Sequence, residues 1–137
     1  VIPVVSERHS CTVVVCDDQA GFRQLVAVVL GLEPGIEVIG EGGDGREAIT
    51  LAKKLQPDVL VLDIAMPEMD GLEALPRVLE VSPATQVVML TGLTAGSIRE
   101  RALTAGASAF IEKGIDIDEL GDRIAAICRA GKLPSPG

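Results

Sequence analysis

The feature that most constrains the fold is a set of short apolar runs with no polar residue at alternate positions: "VVVC" within "TVVVC" (12–16), "VLVL" (59–62) and "VVML" within "QVVML" (86–90). A strand with one wet face alternates apolar and polar residues with period two, so a run that is apolar on both sides is expected to be buried on both. Two further runs, "IEVI" (36–39) and "SAFI" (108–111), complete five candidate strands. Helix-period segments separate them, the arrangement of parallel strands joined by crossover helices. The expectation is an α/β fold: an open parallel sheet with helices on each side.

The intervening segments carry one apolar stripe each. Phe22, Leu25, Val26 and Val29 fall at i, i+3, i+4 and i+7, as do Ala48, Leu51, Ala52 and Leu55. Leu72, Leu75 and Leu79 mark a third helix, but Pro76 lies inside it. A proline there removes a backbone donor at a cost of about 3 kcal/mol, so a bend or a late start is expected. The fourth segment, "SIRERALTAG", is more polar, and Gly106 is placed to end it. Leu120, Ile124, Ile127 and Cys128 define a fifth helix, with Asp116 or Asp118 as its cap. The surplus apolar residues of the first and last helices, Val28 and Ile127 among them, are read as core, with contact between two copies as the alternative.

A chain of 137 residues is sized for one domain. Hydrophobic residues make up 47% of it and aromatic residues 1%, so Phe22 and Phe110 are the only rings and a functional aromatic must be one of them. The net charge of -8 argues against direct contact with nucleic acid. Cys11, Cys16 and Cys128 are odd in number and lack a C-x-x-C spacing, which suggests neither a disulfide framework nor a zinc site. They read as small buried residues of a cytoplasmic protein. No apolar run approaches the roughly 18 residues of a membrane span, and "VIPVV" is too short for a signal peptide. His9, the only histidine, lies in the N-terminal tail and is read as neither ligand nor base.

Four of the five runs lead directly into polar residues. "TVVVC" is followed by Asp17 and Asp18, "VLVL" by Asp63, "QVVML" by Thr91, and "SAFI" by Glu112 and Lys113. In a parallel sheet these strand ends share one rim, where such sheets bind ligands. Each residue alone has an ordinary explanation as a loop residue, since strands end on polar groups. Together they put three carboxylates, an amine and a hydroxyl in one pocket. Clustered carboxylates either raise a pKa or take up a cation, and oxygen-only ligands suit Mg2+. Metal, ammonium and hydroxyl around one carboxylate is an arrangement for phosphoryl chemistry.

On "VVVCDD", "VLVLDIAMPEMDG", "VVMLTG" and "GASAFIEKG", in that order, the chain resembles the receiver domains of two-component response regulators. The resemblance runs from Thr12 to about Ala130. It implies a three-layer sandwich with five parallel strands in the order 2-1-3-4-5 and five helices. The implied organisation is a tail over 1–10, a receiver domain over 11–130 and a linker over 131–137. Asp63 would be the phosphoacceptor, and Asp17, Asp18, Asp63 and the backbone carbonyl of Ala65 would hold Mg2+. Thr91 and Lys113 would contact the phosphoryl group, and Phe110 stands where the family places its rotating aromatic. The implied partners are a sensor histidine kinase, an output domain and, on activation, a second copy. The closing "AAICRAGKLPSPG" weakly resembles the exit toward a helix-turn-helix output domain, hence a transcriptional output.

The chain departs from the family pattern at Gly114, where a proline is usual after the lysine. A cis bond before a non-proline residue costs about 2.5–4 kcal/mol, so a trans bond is expected, with Lys113 aimed differently or held more loosely. Phe110 lacks the hydroxyl of the usual tyrosine, and Gly92 replaces a common alanine. These departures leave a second reading, a pseudo-receiver that acts only as an interaction module. A third comes from "GEGGDG" (40–45), which matches G-x-G-x-x-G after a strand and before a helix, with Asp63 closing the next strand. A dinucleotide pyrophosphate there would face Glu41 and Asp44 with only Arg46 to offset them, which counts against an enzyme of that kind.

Overall fold

The computed structural model describes residues 10–92 and 96–131. His9, and all but the first residue of the expected 131–137 linker, lie outside the described residues. The strands are β1 (Cys11–Cys16), β2 (Ile36–Gly42), β3 (Val59–Asp63), β4 (Gln86–Thr91) and β5 (Ala109–Glu112). They alternate with α1 (Ala20–Gly31), α2 (Gly45–Leu55), α3 (Gly71–Val81), α4 (Gly96–Thr104) and α5 (Ile117–Ala130). All pairings are parallel, in the order β2-β1-β3-β4-β5.

Side-chain alternation along the central strands divides the interior in two. Val14, Leu60, Leu62, Val87 and Met89 face one way and pack against Ala48 and Ala52 of α2, Leu75 and Val78 of α3 and Ala102 of α4. Val13, Val15, Val59, Val61, Val88 and Leu90 face the other way, against Val26 and Leu30 of α1 and Leu120 and Ile124 of α5. Because both faces are covered, the strands need no polar alternation, and each fully buried Val, Leu or Ile contributes roughly 1.5–3 kcal/mol. Among the described residues, no helix is long and apolar enough to cross a membrane.

Several local expectations change. Helix α3 neither starts late nor waits for Pro76; it runs from Gly71 through the proline. Its start is fixed by a capping box, in which Asp70 accepts from the Glu73 N–H (2.8 Å) and Glu73 accepts from the Asp70 N–H (3.1 Å). Val28 is not core: it is 61% exposed, with Leu25 and Leu32 beside it on the outer side of α1. This helix is apolar nearly all round, so its sequence does not fix which face turns inward. Asp116, not Asp118, caps α5, and Gly106 follows α4 at φ +112, a conformation that favours glycine.

The cysteine reading is also corrected. Cys11 and Cys128 form a disulfide, with Cα atoms 5.7 Å apart across a sequence separation of 117. The first residue of β1 and the last turn of α5 meet only through the tertiary fold, so no local spacing announces the pair. Cys16 alone matches the expectation, buried and free. Burial, aided by Glu47 and Asp44, pushes its thiol pKa up to about 12.

Candidate functional site

The carboxyl ends of β1, β3, β4 and β5 form one rim of the sheet. Cys16 pairs with Leu62, so the residues that follow them, Asp17 and Asp63, stand side by side. Asp17 is held by its N–H donating to the Gly42 carbonyl (3.0 Å), and its Oδ1 accepts from the Gln19 N–H (2.8 Å). Asp63 ends a strand whose five residues are all buried. Asp17 and Asp63 are 1% and 2% exposed, whereas Asp18 opens to solvent. One carboxylate oxygen from each lies within 4.8 Å of the others.

Lys113 closes the cluster. Its N–H donates to the Thr91 carbonyl (2.8 Å), which fixes the turn after β5 beside the end of β4. Its Nζ reaches Asp17 Oδ2 at 2.8 Å and Asp63 Oδ2 at 3.3 Å. The described residues contain no cis peptide bond, so the Lys113–Gly114 bond is trans as expected, yet it does not turn the amine away. Thr91 is fully buried at the end of β4, one residue beyond the partner of Asp63. Ala65 lies exposed in the loop two residues past Asp63.

Burial and the neighbouring Asp17 charge push the Asp63 pKa up to about 6, against the opposing pull of Lys113. Burial likewise disfavours charge on Lys113, but its hydrogen bond with Asp17 and the charges of Asp63 and Asp17 outweigh it. The amine is held above its ordinary pKa. The site gathers three carboxyl groups around one amine. Asp17 Oδ2 is buried, and its one partner among the described residues is the Lys113 ammonium. An under-satisfied anionic oxygen in an all-oxygen cluster with one exposed member fits a small, hard cation that keeps some of its water.

The family for which response regulator receiver domains are named matches residues 13–125. The chain is a response regulator receiver domain. It is 41% identical, over 89% of its length, to a protein-glutamate methylesterase/protein-glutamine glutaminase of Alkalilimnicola ehrlichii, and spans 35% of that protein. It is 33% identical over 94% of its length to the transcriptional regulatory protein DegU of Brevibacillus brevis, covering 55% of it. The response regulator domain of Thermotoga maritima CheB superposes with a TM-score of 0.83 at 32% identity, over 93% of this chain and all of that one. The receiver domain thus spans between about a third and about half of the two curated relatives.

Three contributors to this site escape sequence reasoning. Phe22 supplies a ring whose centroid is 4.8 Å from Lys113 Nζ, although its spacing reads only as part of the α1 stripe. Arg23 donates through Nη1 to the Asp17 carbonyl (2.8 Å) and through Nε to Glu41 (3.1 Å), bracing the β1–α1 loop. Gly71 donates its N–H to the Ile64 carbonyl (2.8 Å), and a Cβ there would run into the Asp63 carbonyl. The scarcity of aromatic residues is the one signal that could have singled out Phe22.

The rest of the loop chemistry has structural explanations. Gly40 and Gly42 lie within β2, not in a phosphate-binding turn. A Cβ on Gly42 would sit 3.1 Å from Cys16 Sγ and 3.2 Å from Leu51 Cδ1, so this glycine lets α2 pack closely. Asp44 is spent capping α2 through the Glu47 N–H (2.8 Å). The match to a dinucleotide fingerprint is therefore a packing feature. Phe110, the expected rotating ring, is 5% exposed on the sheet face covered by α2, α3 and α4, with the Arg99 guanidinium 5.8 Å from its centroid.

Proposed function

We propose that Asp63 is the phosphoacceptor of this receiver domain and takes its phosphoryl group from a phosphohistidine on a sensor histidine kinase. The observation that carries the reading is the convergence of Asp17, Asp18 and Asp63 within 4.8 Å, with Lys113 Nζ 3.3 Å from Asp63. A carboxylate oxygen of Asp63 forms the new bond to phosphorus as the phosphorus–nitrogen bond breaks and the imidazole leaves. The product is an acyl phosphate. Lys113 offers its ammonium to the incoming anionic oxygens, and the Thr91 hydroxyl, at the end of the neighbouring strand, donates to one of them.

Asp17, Asp18, Asp63 and the carbonyl of Ala65 would hold Mg2+, which when bound neutralises charge on the transferring group. A shift of Thr91 toward the phosphoryl group leaves space into which the Phe110 ring turns. Because this ring has no hydroxyl, it signals by packing alone, through the surface of α4, β5 and α5. On this reading the domain does not turn over a metabolite: residues 11–130 form the switch, in the cytoplasm, and 131–137 lead to an output. The DegU likeness supports a transcriptional output and the methylesterase likeness an enzymatic one; neither asks this domain to touch nucleic acid. A second copy docking on the activated surface completes the partner set.

Treatment with a small acyl phosphate donor and Mg2+, read by intact mass, tests the proposal. A single phosphoryl adduct is expected on the wild type and none on Asp63→Asn. A wild type that stays unmodified would instead favour the pseudo-receiver, an interaction module that works without phosphorylation.

A further inference from the structure

At the end of the sheet opposite the carboxylates, Cys11 begins β1 and Cys128 lies in the last turn of α5, with Cα atoms 5.7 Å apart. That spacing lies within the range a disulfide requires, so the fold presents the two sulfurs to each other without backbone movement. Both residues are only partly buried. A cavity of about 420 Å3, lined by Pro34, Gly35, Ile36 and Arg129, opens on one side of the pair, and one of about 220 Å3, lined by Asp58, Gln86 and Gly131, on the other.

We propose that Cys11 and Cys128 form a reversible thiol–disulfide modification site, oxidised and reduced by an anionic low-molecular-weight thiol couple of the glutathione type. Exchange requires access of an external sulfur to one of the pair, and both cavities are lined by Cys11 and Cys128. Arg129, adjacent to Cys128 and with its side chain 67% exposed, supplies the positive charge that favours both a thiolate and an anionic reagent. Glu33, 3.9 Å from Arg129, and Asp58 in the second cavity are the acidic groups nearby, which makes the Arg129 side the favoured approach.

The exchange balances in two steps. The Cys128 thiolate attacks glutathione disulfide, forming a mixed disulfide and releasing one glutathione thiolate. The Cys11 thiolate then attacks the Cys128 sulfur and expels the second. The two electrons lost by the cysteine pair reduce one glutathione disulfide to two glutathiones, which take up the two thiol protons.

Oxidation ties the end of α5 covalently to the start of β1. Besides the disulfide, that turn is held by packing and by the Gln86 side-chain N–H donating to the Ile127 carbonyl (3.2 Å). Helix α5 also follows Lys113 directly after the β5 turn, so the site couples redox state to the stiffness of the helix that bounds the signalling surface. This inference does not require Asp63 to be phosphorylated, and the two can fail separately.

The test equilibrates native wild type, Cys128→Ser and Cys11→Ser with glutathione mixtures from fully reduced to fully oxidised. Rapid alkylation and intact mass then count free thiols, and thermal unfolding is followed in parallel. The wild type is expected to pass from two reactive thiols to none within the glutathione range, while Cys16, buried beneath α2, stays unlabelled throughout. Closing a loop of this length should raise the unfolding midpoint by on the order of 10 °C. Neither serine variant should show that shift. Two thiols at every ratio would overturn the proposal, as would a bond that no glutathione mixture opens, or equal midpoints for the oxidised and reduced wild type. The wild-type titration stands even if a variant fails to fold.

Discussion

Asp63 is the residue at which burial and charge pull in opposite directions. Its folded pKa of about 6 lies above the 3.8 of an unperturbed aspartate, so the folded chain binds this proton more tightly than the unfolded one. The stabilisation is fully present below pH 3.8 and is lost as pH rises through 6. Without a metal, Asp63→Asn should therefore match the wild type near pH 4 and exceed it by about 2 kcal/mol at pH 7. Urea unfolding of both proteins across that range checks this; a difference that does not grow with pH would contradict it. Gly71 makes the complementary case for shape. Gly71→Ala drives a methyl group into the Asp63 carbonyl and should cost about 1–3 kcal/mol, visible as a lowered urea midpoint with an unchanged slope. The acids and Lys113 were legible as residue types at strand ends, because a buried run that stops on a carboxylate is itself a pattern. Phe22, Arg23 and Gly71 were not, since a cation–π contact, a guanidinium to a backbone carbonyl and a glycine under a strand end depend on where the loops fold back.

Among the elements, α3 gives the sharpest test of how local and tertiary preferences compete. Pro76 sits exposed inside the helix, and burial of Ala74, Leu75 and Val78 together with the Asp70–Glu73 box holds the segment helical despite it. Pro76→Ala should then stabilise the domain by about 2 kcal/mol, the roughly 3 kcal/mol helix penalty less the proline's restriction of the unfolded chain. Asp70→Ala should destabilise it by about 1 kcal/mol. Reversal of either sign in denaturant unfolding would refute this account of α3. The strands and the existence of all five helices could be read from the sequence because their apolar periods are distinct. The phase of α1 could not: Leu25, Val28 and Leu32 are as apolar as the residues that turn inward, and only packing against β1 and α5 selects Phe22, Val26 and Leu30.

Across the whole molecule, parallel topology brings segments nearly a hundred residues apart, Asp17 and Lys113, to 2.8 Å. Strand order was legible through the family resemblance, whereas the Cys11–Cys128 bond depends on a closure that no local pattern records. The same convergence predicts that Mg2+ at pH 7 raises the unfolding midpoint of the wild type, because an ion that binds the folded cluster and not the dispersed carboxylates stabilises by mass action. Asp17→Asn should lose most of that rise, and an undiminished response in this variant would place the ion elsewhere. Borohydride reduction of the donor-treated protein, followed by peptide mass mapping, locates an acyl phosphate by converting its aspartate to homoserine. Homoserine is expected at the position of Asp63 alone and only when Mg2+ is supplied; homoserine at Asp17, Asp18 or any other acid, or an adduct that resists reduction, would contradict Asp63 as the phosphoacceptor.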